Sequence, residues 1–274
     1  MTTLPPGPDR PAATEPHRHR RVAESFGTDA PRYDRARPSY PQALIDWLVA
    51  ASPGPDVLDV GCGTGIAARQ FRDAGCRVLG VEPDARMAEF ARGTGLEVEV
   101  GTFEDWDAAD RGFDAVVAAQ AWHWVDPVAG PAKAARLLRT GGRLAVFAHV
   151  FEPPRPVAGA QLAALRRAVP DSPFAQGVES PGGIVEAYRR GFEKFAEDMR
   201  AAGAFGEPEH RRFGWERTYT RAEWLDLTPT TGALTRLPRE TLAEVLAEIG
   251  AAIDELGGSF TMSFTTLAVS APKL

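Results

Sequence analysis

A chain of 274 residues, of which 44% are apolar, is long enough to bury a sizeable core as a globular protein. The formal charge of −6 and five scattered histidines give no basic field for a nucleic-acid backbone or an anionic membrane surface, so neither is an expected partner. Cys62 and Cys76 fit no metal or redox spacing and no segment suits a signal peptide or a membrane span, so a soluble cytoplasmic protein is expected.

Residues 1–18 are rich in proline and small polar residues. Such a segment has too little to bury to offset its ordering entropy, so a disordered tail is predicted there. A helix is predicted from Ser39, with Pro41 near its first position, and the Ser-Pro-Gly-Pro run at 52–55 ends it. Residues 19–56 are therefore expected to form an N-terminal helical cap that packs on a larger body.

Short apolar segments alternate with helical ones from residue 57 to residue 150. Strands are predicted at 57–60, 77–81, 96–100, 113–119 and 143–148, with helices at 65–74, 84–92 and 130–138. Strands that are separated by crossover helices are typical of an α/β fold with a parallel, doubly wound sheet. Residues 57–150 are therefore predicted to form the ligand-binding core.

The character of the sequence changes after Phe151, where a cluster of prolines leads into helices predicted near 158–168 and 181–202. Residues 151–208 are therefore predicted to be a helical insertion that covers the site. Tyr188 and Phe192 lie on an apolar stripe of the second helix and could line an aromatic acceptor pocket. The alternative is that a stripe at helical spacing only attaches its helix to the core.

Residues 209–274 are predicted to complete the core sheet. A strand at 212–219 is followed by the capping box Thr220–Glu223, which opens a helix. A further amphipathic helix leads to a last strand at 260–269. These two strands are expected to form an antiparallel hairpin at the edge of the sheet.

The strand that ends at Asp59 turns into a helix through Gly61, Gly63 and Gly65. Because glycine has no Cβ, such a turn brings backbone N–H groups and a helix N-terminus close to a bound ligand. A dinucleotide fingerprint needs a small residue where Ile66 stands, and Asp59 would set a carboxylate near pyrophosphate charge. The turn therefore favours a cationic amino-acid ligand over a dinucleotide, with a purely structural turn as the alternative.

Two later segments indicate an adenosine. Glu82 ends the second strand about twenty residues after the glycines, where an acidic side chain can accept both ribose hydroxyls. A solvated loop carboxylate is the alternative for this residue. After the third strand, Gly101–Asp105 places an aromatic and an acidic side chain, Phe103 and Glu104, where they can contact an adenine ring.

Taken together, these segments resemble successive motifs of the class I, Rossmann-like methyltransferases that use S-adenosyl-L-methionine. The segments are 57–65, 82–84, 103–105, 113–119 and 137–147. Within that superfamily, Tyr33–Pro41 and Gln120–Trp124 resemble a small-molecule branch that includes trans-aconitate methyltransferase-like and methyltransferase type 11 proteins. Thr140 departs from the proline of many relatives, and no motif is recognised in the insertion after Phe151, so the acceptor stays open.

The resemblance implies a seven-stranded, mostly parallel sheet with a final antiparallel hairpin. It implies S-adenosyl-L-methionine as cofactor and S-adenosyl-L-homocysteine as product, with Tyr33 and Arg37 closing over the methionine end. Gln120 is expected to touch the amino group of the cofactor. The full set of expected cofactor-binding residues is Tyr33, Arg37, Asp59, Gly61, Gly63, Gly65, Glu82, Pro83, Met87, Phe103, Glu104, Gln120 and Trp122.

His123 is the candidate catalytic residue, because it lies beyond the carboxyl end of the fourth strand, where doubly wound sheets bind ligands. The alternative is that it orients neighbours or hydrogen-bonds the acceptor. Trp122 and Trp124 flank it and either wall the acceptor or simply pack. The expected acceptor-binding residues are Tyr40, Trp124, Tyr188 and Phe192, and no metal is expected.

The function that these observations favour is transfer of a methyl group to a small organic acceptor by in-line displacement, in which positioning dominates. An apolar or aromatic metabolite, methylated on C, O or N, fits an insertion rich in Phe, Tyr and Ala. Carboxyl methylation of a small polyacid, which would want converging arginines, is an alternative. An NAD(P)-dependent oxidoreductase and a non-catalytic cofactor-binding module are the two others.

Overall fold

The computed structural model of the protein describes residues 24–170, 183–232 and 234–274. The tail predicted over 1–18 and the start of the helix predicted at 181 lie outside these residues. Within them, no helix is both long and apolar enough to cross a membrane.

The described residues form one sheet of seven strands, which are β1 (Asp56–Val60), β2 (Arg77–Glu82), β3 (Glu97–Val100), β4 (Phe113–Ala119), β5 (Leu138–Glu152), β6 (Glu209–Thr220) and β7 (Ser259–Pro272). Their spatial order is β3-β2-β1-β4-β5-β7-β6. Strands β1 to β5 pair in parallel, whereas β7 pairs antiparallel with both β5 and β6. The predicted fold class is confirmed, including the antiparallel edge.

Helices cover the sheet: α1 (Ala30–Ala36), α2 (Gln42–Ala51), α3 (Ile66–Asp73), α4 (Ala85–Gly93), α5 (Ala129–Leu137), α6 (Arg155–Ala168), α7 (Gly183–Ala201), α8 (Arg221–Leu227) and α9 (Arg239–Asp254). The helix predicted from Ser39 begins at Gln42, because Pro41 takes an extended N-cap conformation. The capping box at the start of α8 is present: Thr220 Oγ1 accepts from the N–H of Glu223, whose side chain accepts from the N–H of Thr220.

Both faces of the sheet are buried, as a doubly wound arrangement requires. Successive residues of β4 alternate between the two faces. Val116 and Ala118 belong to one apolar cluster, and Ala115 and Val117 belong to another that includes Phe147. The core therefore lies on both sides of the sheet, which leaves the carboxyl edge of the parallel strands as the accessible part.

Strand β5 is longer than predicted. The sequence predicts its end at residue 148, whereas the strand continues to Glu152 because it pairs with β7 throughout, with His149 opposite Thr266 and Phe151 opposite Phe264. Residues 149–152 therefore belong to the sheet and lie at its carboxyl edge, rather than in a connection to the insertion.

Helix α7 lies on the sheet. Tyr188 and Phe192 are buried in the same apolar cluster as Val150 and Val269 of the sheet. Neither residue lines the two cavities described below. The structure therefore supports the packing alternative for both side chains, instead of the predicted acceptor pocket.

Helix α6 belongs to a different part of the protein from α7. Its residues Val157 and Leu165 share a cluster with Trp224 of α8 and Ile249 of α9. The described parts of the segment 151–208 are thus divided between two apolar clusters, and the role of the segment as a cover stays a prediction.

Phe192→Leu tests this placement. The substitution leaves an imperfectly filled site in the cluster under α7, so we expect it to cost about 1 kcal/mol of unfolding free energy. We expect the Michaelis constant for any methyl acceptor to stay within twofold of wild type, because the side chain lines neither cavity. Denaturant unfolding and steady-state kinetics measure the two quantities. A large rise in the Michaelis constant at unchanged stability would contradict the packing role.

Candidate functional site

The glycine turn joins β1 to α3 at the carboxyl edge of the sheet. Gly61, Gly63 and Gly65 all have positive φ, at +65°, +57° and +86°. A Cβ on Gly61 would lie 2.6 Å from Cβ of Ala121, so a side chain there would collide with the chain that follows β4. At Gly63 a Cβ would meet nothing within 4 Å, because this glycine faces open space. The turn thus presents bare backbone to a cavity.

Glu82 closes the other side of the turn. One of its carboxylate oxygens accepts the N–H of Gly63 at 2.8 Å, and the other accepts the N–H of Asp84 at 2.9 Å. The side chain is almost fully buried, and this burial raises its pKa to about 7. Each carboxylate oxygen can accept more than one hydrogen bond, so Glu82 retains the capacity to accept hydroxyl groups from a ligand.

Asp59 lies behind the turn with no exposed surface. Neither of its carboxylate oxygens has a hydrogen-bond partner of full geometry among the described residues, although the backbone N–H of Ala68 lies near enough to lower its pKa. Burial, and then the nearby charge of Glu82, outweigh this contact and raise the pKa of Asp59 to about 8. Asp59 lines neither cavity described below, and a buried carboxyl group with so little compensation is costly, a cost that a cationic ligand at the turn would offset.

A cavity of about 1030 Å³, open solvent at its mouth included, extends from the glycine turn along the ends of β2, β3 and β4. At the turn it is lined by Tyr33, Gly61, Gly63, Glu82 and Gln120. We call it the first cavity.

The far end of the first cavity is lined by the residues that the sequence assigns to an adenine site: Pro83, Met87, Phe103 and Glu104. Trp122 does not line the cavity. It is buried behind Phe103, with ring centroids 5.9 Å apart. Gly65 is the N-cap residue of α3, and it does not line the first cavity either.

Gln120 has a strained backbone. Its φ is +61°, a conformation that non-glycine residues rarely adopt and that is often found at functional sites. Its N–H donates to the carbonyl of Phe147 at 2.9 Å, and its side-chain amide donates to the carbonyl of His149 at 3.4 Å. These contacts hold Gln120 at the end of β4. Gln120 and Tyr33 line the first cavity and also a second one.

The second cavity holds two further predicted residues, Arg37 and Tyr40. The Arg37 guanidinium donates to Oγ1 of Thr230 at 3.0 Å and to its carbonyl at 2.6 Å, and it lies 4.9 Å from the ring of Tyr33. No described carboxylate forms an ion pair with Arg37. Arg37 therefore lines a different cavity from Gly61 and Gly63, and no carboxylate of the described residues forms an ion pair that would neutralise its charge.

His123 lines the first cavity, next to Trp124. Withdrawal of the ring from water lowers the pKa of His123 to about 3. A general base is most effective when its pKa is near the working pH, so this environment suits a neutral hydrogen-bonding group better than a strong base. The geometry is therefore consistent with the alternative that the sequence left open for His123.

The sequence did not identify seven residues of the second cavity as site residues, which are Pro38, Ile66, His149, Phe151, Trp224, Leu227 and Phe264. The only local signal was a histidine next to a strand end, a position at which parallel sheets commonly bind ligands. Among the described residues, no group of three or more His, Cys, Asp or Glu side chains could hold a metal ion.

Comparisons with known proteins agree with this geometry. A methyltransferase domain family matches residues 58–146. An uncharacterized methyltransferase of Mycobacterium tuberculosis is 42% identical over 127 residues, which are 46% of this chain and 52% of the relative. The chain thus spans about half the length of the curated relatives that it matches.

Two solved structures share the fold. A candidate type II methyltransferase from Anaeromyxobacter dehalogenans has a TM-score of 0.59 at 23% identity and covers 86% of this chain and 97% of its own. A phosphoethanolamine N-methyltransferase 2 from Haemonchus contortus, solved with S-adenosyl-L-methionine, has a TM-score of 0.51 at 14% identity, with 90% and 57% covered. At these identities the likeness concerns the fold alone.

Proposed function

We propose that the protein transfers a methyl group from S-adenosyl-L-methionine to a small organic acceptor, because residues 58–146 match a methyltransferase domain family and the sheet has a doubly wound, Rossmann-like strand order. One observation carries the proposal. The first cavity ends at bare glycine backbone and at Glu82, and the strand that leads into the turn carries the buried carboxyl group of Asp59. Such a site complements a ligand with ribose hydroxyls at one point and positive charge at the next.

The residues present fit the cofactor from end to end. Glu82 would accept the ribose hydroxyls, while Met87 and Phe103 would enclose the adenine. The carboxylate of Asp59 would supply the negative field for the amino-acid end. A dinucleotide would bring its pyrophosphate to this same turn, where the carboxyl group of Asp59 disfavours a second anion.

When bound, the cofactor supplies a methyl group that is already electrophilic because it is attached to a sulfonium. The chain therefore has to hold the acceptor in line and exclude water. Gln120 and Tyr33 are placed for this work, since both lie where the two cavities adjoin. His123, kept neutral by its environment, would donate or accept a hydrogen bond rather than carry a charge.

We propose an apolar or aromatic acceptor over a small polyacid. A polyacid would need several converging cations, whereas Arg37 is the one Arg or Lys side chain among the described residues that line the two cavities. The walls of the second cavity are mainly aromatic, which suits a flat apolar body.

Calorimetric titration with S-adenosyl-L-methionine, S-adenosyl-L-homocysteine and NADH tests the cofactor assignment. We expect binding of the two adenosyl compounds and none of NADH. Binding of NADH alone would favour an oxidoreductase. Tight cofactor binding with no S-adenosyl-L-homocysteine formed from any member of an acceptor library would favour a non-catalytic module.

Gly63→Ala and Gly75→Ala form a matched pair that tests the location. Both glycines have positive φ, and a Cβ on either meets no atom within 4 Å. Each substitution therefore costs about 1–2 kcal/mol of backbone strain. Because Gly63 lines the first cavity and Gly75 does not, we expect a loss of about tenfold in cofactor affinity, or about 1.4 kcal/mol, for Gly63→Ala alone. Equal affinities of the two variants would contradict the location.

A further inference from the structure

The second cavity adjoins the first at Tyr33 and Gln120, which line both. Its own walls come from the ends of β5 and β7 and from α8. A molecule in the second cavity would therefore meet a cofactor in the first cavity beside Tyr33 and Gln120.

Aromatic rings make up most of the second cavity. Tyr40 stacks on His149 with ring centroids 4.3 Å apart, and Phe264 lies 5.8 Å from the same imidazole. Trp224 packs edge-on against Phe151 at 6.0 Å. These rings are fixed by their packing in the cores on either side, so the cavity has rigid, flat walls.

Two buried nitrogen atoms in these walls have no hydrogen-bond partner among the described residues, namely Nε2 of His149 and Nε1 of Trp224. His149 is 4% exposed and Trp224 is 1% exposed, so bulk water does not reach either nitrogen. Native proteins rarely leave buried donors unsatisfied. A ligand with an acceptor oxygen would satisfy them.

The neighbours of His149 allow the tautomer with its hydrogen on Nε2. Oγ1 of Thr266 accepts the indole N–H of Trp215 at 2.9 Å and lies 2.9 Å from Nδ1 of His149. The Thr266 hydroxyl can donate its hydrogen to Nδ1, and the proposed pocket uses the tautomer in which Nε2 carries the hydrogen of the neutral ring. Burial lowers the pKa of His149 to about 3, so the ring stays neutral. The carbonyls of Pro38 and Ser39 oppose this shift, but neither satisfies Nε2.

We propose that the second cavity is the acceptor-binding pocket, and that it takes a flat aromatic molecule with an anionic or carbonyl oxygen, positioned by the N–H groups of His149 and Trp224. This inference rests on the proposed methyl transfer. It keeps Tyr40, which the sequence assigned to the acceptor, and moves the acceptor away from His123, Trp124, Tyr188 and Phe192. In this pocket His149 acts as a positioning donor through its Nε2–H.

Arg37 supplies a carboxylate-binding group in the same pocket. The carboxylate could belong to the methionine end of the cofactor, as the family resemblance implies, or to the acceptor. Arg37→Gln separates the two sources. A loss of about tenfold in S-adenosyl-L-homocysteine affinity, or about 1.4 kcal/mol, assigns Arg37 to the cofactor, whereas an unchanged cofactor affinity with weaker binding of an aromatic carboxylate assigns it to the acceptor.

The test uses the whole protein with 5-fluorotryptophan at its six tryptophans, loaded with S-adenosyl-L-homocysteine. Single Trp→Phe variants assign the fluorine resonances. The probes are 4-hydroxybenzoate, p-cresol, which lacks the carboxylate oxygens, and tricarballylate, which lacks the ring. We expect 4-hydroxybenzoate to shift the Trp224 resonance, p-cresol to bind at least about tenfold more weakly, and tricarballylate to cause no shift.

Variants of His149 separate donation from packing. We expect His149→Phe, which keeps a ring and removes the donor, to weaken 4-hydroxybenzoate binding about tenfold, or about 1.4 kcal/mol. His149→Gln keeps an N–H donor and should retain more of the affinity. His210→Phe, at an exposed position of β6 outside both cavities, is the matched control and should leave it unchanged.

Three outcomes would overturn the inference: a shift of the Trp124 resonance without Trp224, equal effects of His149→Phe and His210→Phe, or no shift by any probe up to about 10 mM. S-adenosyl-L-homocysteine affinity, measured on the same samples, distinguishes this failure from that of the proposed function. Failure to bind S-adenosyl-L-homocysteine contradicts the proposed methyl transfer. Binding of S-adenosyl-L-homocysteine without a shift of the Trp224 resonance contradicts only the proposed acceptor pocket.

Discussion

Glu82→Ala is expected to reduce the affinity for S-adenosyl-L-methionine about 100-fold. The substitution removes a carboxylate that would accept two ribose hydroxyls, and hydrogen bonds to charged groups contribute about 1.5–3 kcal/mol each. It also removes the acceptor of the Gly63 N–H, which loosens the turn on which the ligand rests. A loss of about 3 kcal/mol corresponds to the stated factor, and calorimetric titration measures it.

Two further variants separate recognition from folding. Glu99→Ala removes a carboxylate from the adjacent strand β3, where it pairs with Arg111 outside the cavity, so cofactor affinity should stay within twofold. Glu82→Gln keeps the shape of the side chain and should be better folded than Glu82→Ala while still losing most of the affinity. Cofactor binding within threefold of wild type by a folded Glu82→Ala protein would remove Glu82 from the ribose site.

The first cavity could be predicted from the sequence because its parts are local. A strand end, a glycine turn and the next strand end follow one another along the chain, so spacing alone placed Gly61, Gly63 and Glu82 together. The parallel topology then fixed the rest, since carboxyl ends of neighbouring strands meet at one edge. Met87 and Phe103 line the cavity for the same reason.

The second cavity could not be predicted in this way, because it is assembled from distant segments. His149 lies in the sheet only because β7 returns antiparallel and lengthens β5, and Trp224 reaches it from a helix between the last two strands. Helical periodicity alone could not distinguish a wall of a pocket from a contact with the core. Tyr188 and Phe192 lie in the core cluster under α7 and line neither cavity.

Cofactor affinity is expected to rise steeply with pH between pH 6 and pH 7. In the free protein the pKa is about 8 for Asp59 and about 7 for Glu82, so both carboxyl groups hold protons at low pH. A bound cation favours the charged carboxylates and lowers both pKa values, so binding releases protons and the affinity must increase as pH rises. With two groups titrating, the affinity should change by more than tenfold over this unit of pH. Above about pH 8 the cofactor's ammonium group loses its own proton, and the affinity should fall again.

Asp59→Asn should remove one of the two titrations and leave that of Glu82, so the affinity should change by less than tenfold between pH 6 and pH 7. The same variant should raise the melting temperature of the cofactor-free protein at pH 8 by several degrees. The reason is that the folded-state pKa of Asp59 lies above its ordinary value, so this carboxyl group destabilises the fold increasingly as pH rises through the window from about 4 to about 8. Calorimetry across pH and thermal unfolding at pH 8 measure the two effects. A variant with the wild-type pH slope would show that Asp59 does not face the cation, whereas a lower melting temperature would show that the carboxyl group has a partner in the folded protein.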